Sequence, residues 1–219
     1  MGMRISVLAL AAVVTFLSVA PAASAQQACG ALGGTPDATG MCRIHEVGTG
    51  YERTVAFPVD YPDQRAVADF LAQDRDGFVG WVGDFGGGRV YTETVTPTVY
   101  RSARSQSLVL KVVDPTGLAH EGHPDIRYRT FTYGAGGPVT IDSLFGPGSD
   151  PAAILTPVVQ RALKARNAAL IEPDRASYRN FALTDDAVTF FFGESQLAGN
   201  GGPLTVAVPV DELGGRLQG

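Results

Sequence analysis

Two stretches with helical spacing, set among stretches patterned like strands, constrain this chain more than any other feature. In "DYPDQRAVADFLAQDRDGFVGWV", residues 60–82, Val67, Phe70, Leu71, Asp74 and Phe78 recur at helical steps, and all but Asp74 are apolar. Pro62 suits a first helical position and Asp63 complements the positive end of the helix dipole. An amphipathic helix of about four turns is expected there, laid by one face on a sheet. A second helix is expected from Asp150-Pro151, a cap residue followed by proline, with Ile154, Leu155, Val158, Val159, Ala162 and Leu163 as its apolar stripe. Pro157 should bend that helix or shift its start. Arg161, Lys164 and Arg166 fall near its C-terminus, where cations complement the dipole.

Strand patterns surround both helices. "RIHEV" and "YERTVAFPV" flank the turn Gly48-Thr49-Gly50, and "RVYTETVTPTVY", "SQSLVLKVVD" and "IRYRTFTYG" follow the first helix. "GGPVTIDSLF" reads as more β structure. "FALTDDAVTFFFG", with a turn at Asp185-Asp186, and "PLTVAVPVDEL" close the chain. The order strands, helix, strands, helix, strands gives an α+β class: an antiparallel or mixed β-sheet with two packed amphipathic helices. Phe70, Leu71, Phe78, Ile154, Leu155 and Val158 are expected to be buried against strands carrying Val109, Phe191 and Val206. The glycine run in "DFGGGR" lacks the Lys-Ser/Thr of a phosphate loop and reads as a flexible connection.

The N-terminus sets the compartment. Arg4, the apolar run Ile5 to Val19 and the small-x-small triplet Ala23-Ser24-Ala25 form a Sec-type signal peptide with cleavage after Ala25. The run is shorter than the roughly 20 residues that span a bilayer, so no stable membrane insertion is expected after cleavage. Residues 26–219 are then one secreted α+β domain. The leader removes Arg4 from 17 basic residues and nothing from 22 acidic ones, leaving 16 against 22. That balance argues against nucleic acid, whose binding draws on clustered Lys and Arg. Cys29 and Cys42, the two cysteines of the chain, read as a disulfide in an oxidising compartment. Without Cys-x-x-Cys spacing they do not read as a metal or redox pair.

"FPVDYPDQRAVADFLAQDRDGFV", "TIDSLFGPGSDP", "YRNFALTDDAVTFFF" and "GGPLTVAVPVDEL", in this order after a leader and a two-cysteine loop, resemble the secreted mycobacterial immunogenic protein family. Some members of that family are described as secreted esterases. Residues from about 123 to 219 also resemble the extracellular domain of the RsiV-like anti-sigma factors, which bind lysozyme. The resemblance implies a secreted actinobacterial protein whose partner is a lysozyme-like extracellular protein or a cell-envelope component; no cofactor and no metal are expected.

For an ester hydrolase, Ser195 after "VTFFFGE" is the nucleophile to weigh, with His123, placed by the family's His-Pro segment, as base and Asp186 or Asp185 as orienting acid. Gly193-Glu194-Ser195-Gln196-Leu197 lacks the second glycine of the Gly-x-Ser-x-Gly elbow. Adjacent Asp185 and Asp186 are not a ready glycosidase pair, and His120, Glu121 and His123 make a weak metal motif. A binding module asks instead for aromatic and arginine anchors, for which Arg127, Tyr128, Arg129 and Tyr133 on one strand and Trp81 after the first helix are the residues to weigh.

Overall fold

The computed structural model describes residues 21–116, 124–165, 173–194, 196, 202–213 and 217. Helix α1 (Pro21–Ala31) leads into strands β1 (Thr35–Pro36), β2 (Met41–Gly48) and β3 (Tyr51–Pro58). Helix α2 (Gln64–Phe85) follows, then β4 (Tyr91–Arg101), β5 (Ser105–Asp114), β6 (Asp125–Gly134) and β7 (Gly137–Pro138). A short α3 (Ile141–Phe145) and α4 (Pro151–Ala165) precede a 3-10 turn (Arg175–Arg179) and strands β8 (Phe181–Leu183), β9 (Ala187–Phe192) and β10 (Leu204–Pro209). A second 3-10 turn covers Val210–Leu213. The class is α+β, as expected. Strands β1 to β7 form one sheet in sequence order, and β10-β9-β8 form a second.

All neighbours pair antiparallel except β3 and β4, which run parallel because α2 carries the chain back between them. Helix α2 is longer than the four turns expected, at 22 residues. Its cap is Asp63, whose carboxylate accepts the Ala66 N–H at 3.1 Å, so Pro62 precedes the helix rather than opening it. It ends at the glycines, where Gly87 and Gly88 take φ of 53° and 81°, so "DFGGGR" is a helix stop. Val67, Leu71, Asp74, Phe78 and Val82 are its buried stripe, while Phe70 is half-buried at the side.

Cys29 and Cys42 are bonded, fastening α1 to β2. A Cβ on Gly34 would come within 2.5 Å of Cys42 Sγ, so only glycine passes over the bridge. Helix α1 runs through the expected cleavage site at Ala25, and residues 1–20 lie outside the described residues. Among the described residues no helix is long and apolar enough to cross a membrane.

The smaller sheet lies on the larger. Leu183 N–H donates to Ser107 Oγ at 3.0 Å, and Thr132 Oγ1 bonds both Ser107 Oγ and the Phe181 carbonyl. Central strand β9 is covered on both faces, which explains its unbroken apolar run. Phe190 and Phe192 join Leu155, Val159 and Leu163 of α4 in one core, whereas Phe191 meets Val109, Tyr100 and Tyr128 between the sheets. Ile154 and Val158, expected to be buried, lie at the margin of the stripe and are partly exposed. "TIDSLF" is not β structure: Thr140 and Ser143 make a reciprocal capping box that starts α3. Helix α4 begins at Pro151 and continues through Pro157.

Candidate functional site

Strand β6 is paired with β5 along its length but with β7 only at Tyr133 and Gly134. Among the described residues no strand pairs with the outer edge of its first half, and residues from the C-terminal half close over it. Glu194 N–H donates to the Ile126 carbonyl at 2.8 Å, and Asn180 Oδ1 accepts the Thr130 N–H at 3.3 Å. Gly193 passes so close that a Cβ there would stand 2.8 Å from the Ile126 carbonyl oxygen. Gln196 braces this bend by accepting the Gly193 N–H through Oε1 at 3.0 Å. The result is a cleft of about 360 Å³, walled by Phe70, Tyr128 and the side chains of Arg127, Arg129, Arg179 and Asn180.

Alternation along β6 puts Arg127, Arg129, Phe131 and Tyr133 on the face toward α2 and Tyr128 on the face toward β9. The arginines therefore share a face with two aromatics rather than standing opposite all of them. Arg127 is anchored from behind: it pairs with Asp74 at 3.2 Å and with Asp114. Burial works against its charge, but Asp114 and Asp74 outweigh it and raise its affinity for the proton. Asp74 also lies 3.5 Å from Arg53, which bonds Glu93 on β4. Glu93 is fully buried, and burial together with the Asp74 carboxylate pushes its carboxyl up to about 7 against the pull of Arg53. Asp125, at the mouth of β6, is raised by burial and by Asp114.

Arg129 and Arg179 differ from Arg127. Arg129 lies 5.6 Å from the Phe70 ring centroid and 5.2 Å from that of Phe131, a cation–π stack that fixes its guanidinium. Its proton affinity is lowered by burial and by the neighbouring charge of Arg179. Among the described residues neither arginine has a carboxylate partner. Two like charges are held together at the cleft; Glu194 also lines it but, among the described residues, is paired with neither.

Of the residues weighed from sequence, Arg127, Tyr128 and Arg129 meet in this cleft. Tyr133, at the far end of β6, packs beside the core that holds the disulfide. Trp81 is elsewhere, edge-on to Tyr91 at 5.0 Å near exposed Phe85 and Val90. Ser195 and His123 lie outside the described residues, as do His120 and Glu121, but Glu194 and Gln196, which flank Ser195, both line the cleft. Asp186 sits at the β8–β9 turn, where its carbonyl accepts the Val210 N–H; it is separated from Gly193 by the six residues of β9, roughly 20 Å of extended chain. Asp185, beside it, accepts the Ala103 N–H. Among the described residues no three His, Cys, Asp or Glu side chains are grouped to hold a metal. Arg179 and Phe70 escaped the sequence reading as site residues; the one signal for Arg179 was its place in "YRNF", between buried Tyr178 and Asn180.

Comparison with known proteins finds relatives of this chain. A family model described as a protein of unknown function (DUF3298) matches residues 142–211. The chain is 38% identical over 190 residues to Esterase Rv3036c of Mycobacterium tuberculosis, spanning 81% of this chain and 82% of that protein. It is 32% identical over 226 aligned positions to Immunogenic protein MPB64 of Mycobacterium bovis, spanning 94% and 96%. Immunogenic protein MPT64 of Mycobacterium tuberculosis matches at the same identity and coverage.

Proposed function

Since this chain belongs to the family of Esterase Rv3036c and the immunogenic proteins MPB64 and MPT64, we propose that it is a secreted interaction domain that captures an anionic group of its partner in the β6 cleft. The partner is an extracellular protein, lysozyme-like by the RsiV-like resemblance, or a cell-envelope component. The mature unit is residues 26–219, following a cleaved leader, with the RsiV-like part at about 123–219. One observation carries the reading: Arg129 and Arg179 share the cleft without a carboxylate partner among the described residues, although the chain as a whole is acidic. Arg129 is held rigid by its aromatic stack, so an incoming anion loses little to side-chain ordering. The aromatic and arginine lining is the composition that anchors protein partners.

Immobilised wild type and Arg129→Glu/Arg179→Glu would be titrated with lysozyme and with a purified envelope fraction. Binding of either probe by wild type, lost at least tenfold in the variant, is the expected result, about 1.4 kcal/mol. Binding unchanged by the double reversal, or absent from wild type with both probes, ends the reading.

Ester hydrolysis is the second reading, favoured by the name of one relative and by the place of Glu194 and Gln196, the sequence neighbours of Ser195, in the cleft wall. Wild type, Ser195→Ala and His123→Ala assayed on a p-nitrophenyl ester separate the two. A loss of about a hundredfold in both variants makes the protein an esterase. Hydrolysis that survives both substitutions removes that reading.

A further inference from the structure

A second cavity, of about 760 Å³, opens at the opposite end of the molecule. Three turns meet there: β4–β5 at Ser102–Ser105, β6–β7 at Gly134–Gly136, and β8–β9 at Thr184–Asp185. Its lining is aliphatic, formed by Leu183 and Val188 of the smaller sheet, Leu144 of α3, Val139 just after β7 and Val210 of the second 3-10 turn. Its volume is within the range of small-molecule sites, and it lies where two packed layers join, as such sites do. It is distinct from the β6 cleft: Val188, the second residue of β9, lines this cavity, and Gly193, just past the strand's other end, lines the cleft.

The lining narrows the ligand. Among the described residues no aromatic side chain lines the cavity, so a flat ring finds no stacking partner there, while a flexible hydrocarbon chain can follow an aliphatic wall. The polar groups gather at the mouth, and most are already engaged. Ser102 and Ser105 hydroxyls lie 2.8 Å apart, Thr184 Oγ1 accepts the Ala187 N–H, and Asp185 Oδ1 accepts the Ala103 N–H at 2.7 Å, tying two of the turns together. Arg104 is the exception: among the described residues its guanidinium has no carboxylate partner. An apolar chain below a single uncommitted cation is the complement of a fatty acid.

We propose that this cavity binds a fatty acid, its hydrocarbon chain among Leu144, Leu183 and Val188 and its carboxylate at Arg104. The site does not depend on the anion-capturing role of the β6 cleft. Leu217 also lines the cavity, so the C-terminal end of the chain is the competing occupant.

The test uses the mature chain and a dansyl-labelled undecanoic acid as fluorescent probe, displaced by dodecanoate or dodecanol. Wild type should give saturable fluorescence, with dodecanoate displacing the probe at about tenfold lower concentration than dodecanol. Arg104→Glu should abolish that preference without affecting dodecanol. Leu183→Trp should block uptake by filling the cavity. Because Leu183 is partly buried, Ala135→Trp on the exposed rim is the companion variant, and retained native circular dichroism is required of both. Arg129→Glu/Arg179→Glu should bind the probe as wild type does. No saturable signal in wild type, or equal uptake by folded Ala135→Trp and Leu183→Trp, overturns the proposal. A saturable signal that appears only after truncation beyond Leu213 assigns the cavity to the chain's own end and overturns it as well.

Discussion

The molecule lays a helix on a sheet twice, and the two layers are held by different physics. Helix α4 rests on β8–β10 through Leu155, Val159 and Leu163 against Phe190, Phe192, Val206 and Val208, a contact without a charged side chain. Helix α2 rests on the larger sheet through Val67, Leu71, Phe78 and Val82, but the middle of its stripe is Asp74. Around Asp74 the sheet supplies Arg53, Glu93, Asp114 and Arg127 from four strands. Among these, Glu93 Oε2 and Asp74 Oδ2 are buried without a hydrogen bond. A layer of the first kind loses stability through cavities; one of the second loses it through unmatched charge. Charge burial is concentrated behind the β6 cleft, where Arg127 joins the network to the surface.

The sharpest break of this comparison is one substitution in each layer. Phe190→Ala should cost about 3–5 kcal/mol by leaving a hole under α4. Arg53→Met should cost a similar amount, about 3–5 kcal/mol, although Met fills much of the same space, because Glu93 and Asp74 are left buried without their cation. Denaturant titration of both variants measures this. A cost below about 1 kcal/mol for Arg53→Met would mean that the carboxyls shed their charge together, and that the two layers are alike.

This contrast also marks what the sequence revealed. The stripe of α4, the alternation of β10 and the three phenylalanines of β9 are apolar periods, and such periods survive folding unchanged. Phe70 follows the same period but sits at its margin, where it serves Arg129 instead of the core. Asp74 was visible on the stripe as a misfit, and a buried charge is the physical meaning of such a misfit. Its partners come from strands 21 to 53 residues away, which no local pattern encodes. The cleft hides for the same reason, since Phe70, Arg129 and Arg179 meet only after the smaller sheet closes the edge of β6. Helix α3 was missed because its five residues are too few for a period, leaving only the Thr140 and Ser143 box as a sign.

A smaller effect tests whether the α2 layer depends on its crosslink. The Cys29–Cys42 bridge, fully buried beside Ile44 and Leu71, closes a 13-residue separation. Cys29→Ala/Cys42→Ala should lower stability by about 3 kcal/mol in the chain-entropy account. The α4 layer, whose core contains neither cysteine, should keep its hydrogen-exchange protection under mild denaturant while the α2 layer loses its own. Equal loss in both layers would show one cooperative unit in which the comparison has no energetic meaning.

The smallest effect is in pH, and its sign follows from Glu93. Glutamate in an unfolded chain titrates near 4.5, and in this fold burial and the Asp74 carboxylate hold Glu93 at about 7. Between those values the folded chain keeps a proton that the unfolded chain has lost, so unfolding releases it and stability falls as pH rises. The contribution is complete below about 4.5 and gone above about 7. Asp125, raised by burial and Asp114, adds in the same direction. Glu46, lowered first by its Arg75 hydrogen bond, and Asp37, lowered by Thr39 and Arg43, act the other way, but their stability is lost only as pH drops below the ordinary carboxylate range. In the window from about 4.5 to 7 the raised carboxyls of the α2 layer therefore govern the slope. Wild type should be more stable at pH 5 than at pH 7, and Glu93→Gln, which retains an oxygen for Arg53 but has no proton to release, should flatten that slope. Leu155→Ala, in the layer without charges, should lower stability equally at both pH values. Thermal unfolding of the three proteins at pH 5, 6 and 7 gives the answer, and a slope shared by wild type and Glu93→Gln would place the titrating group outside the buried network.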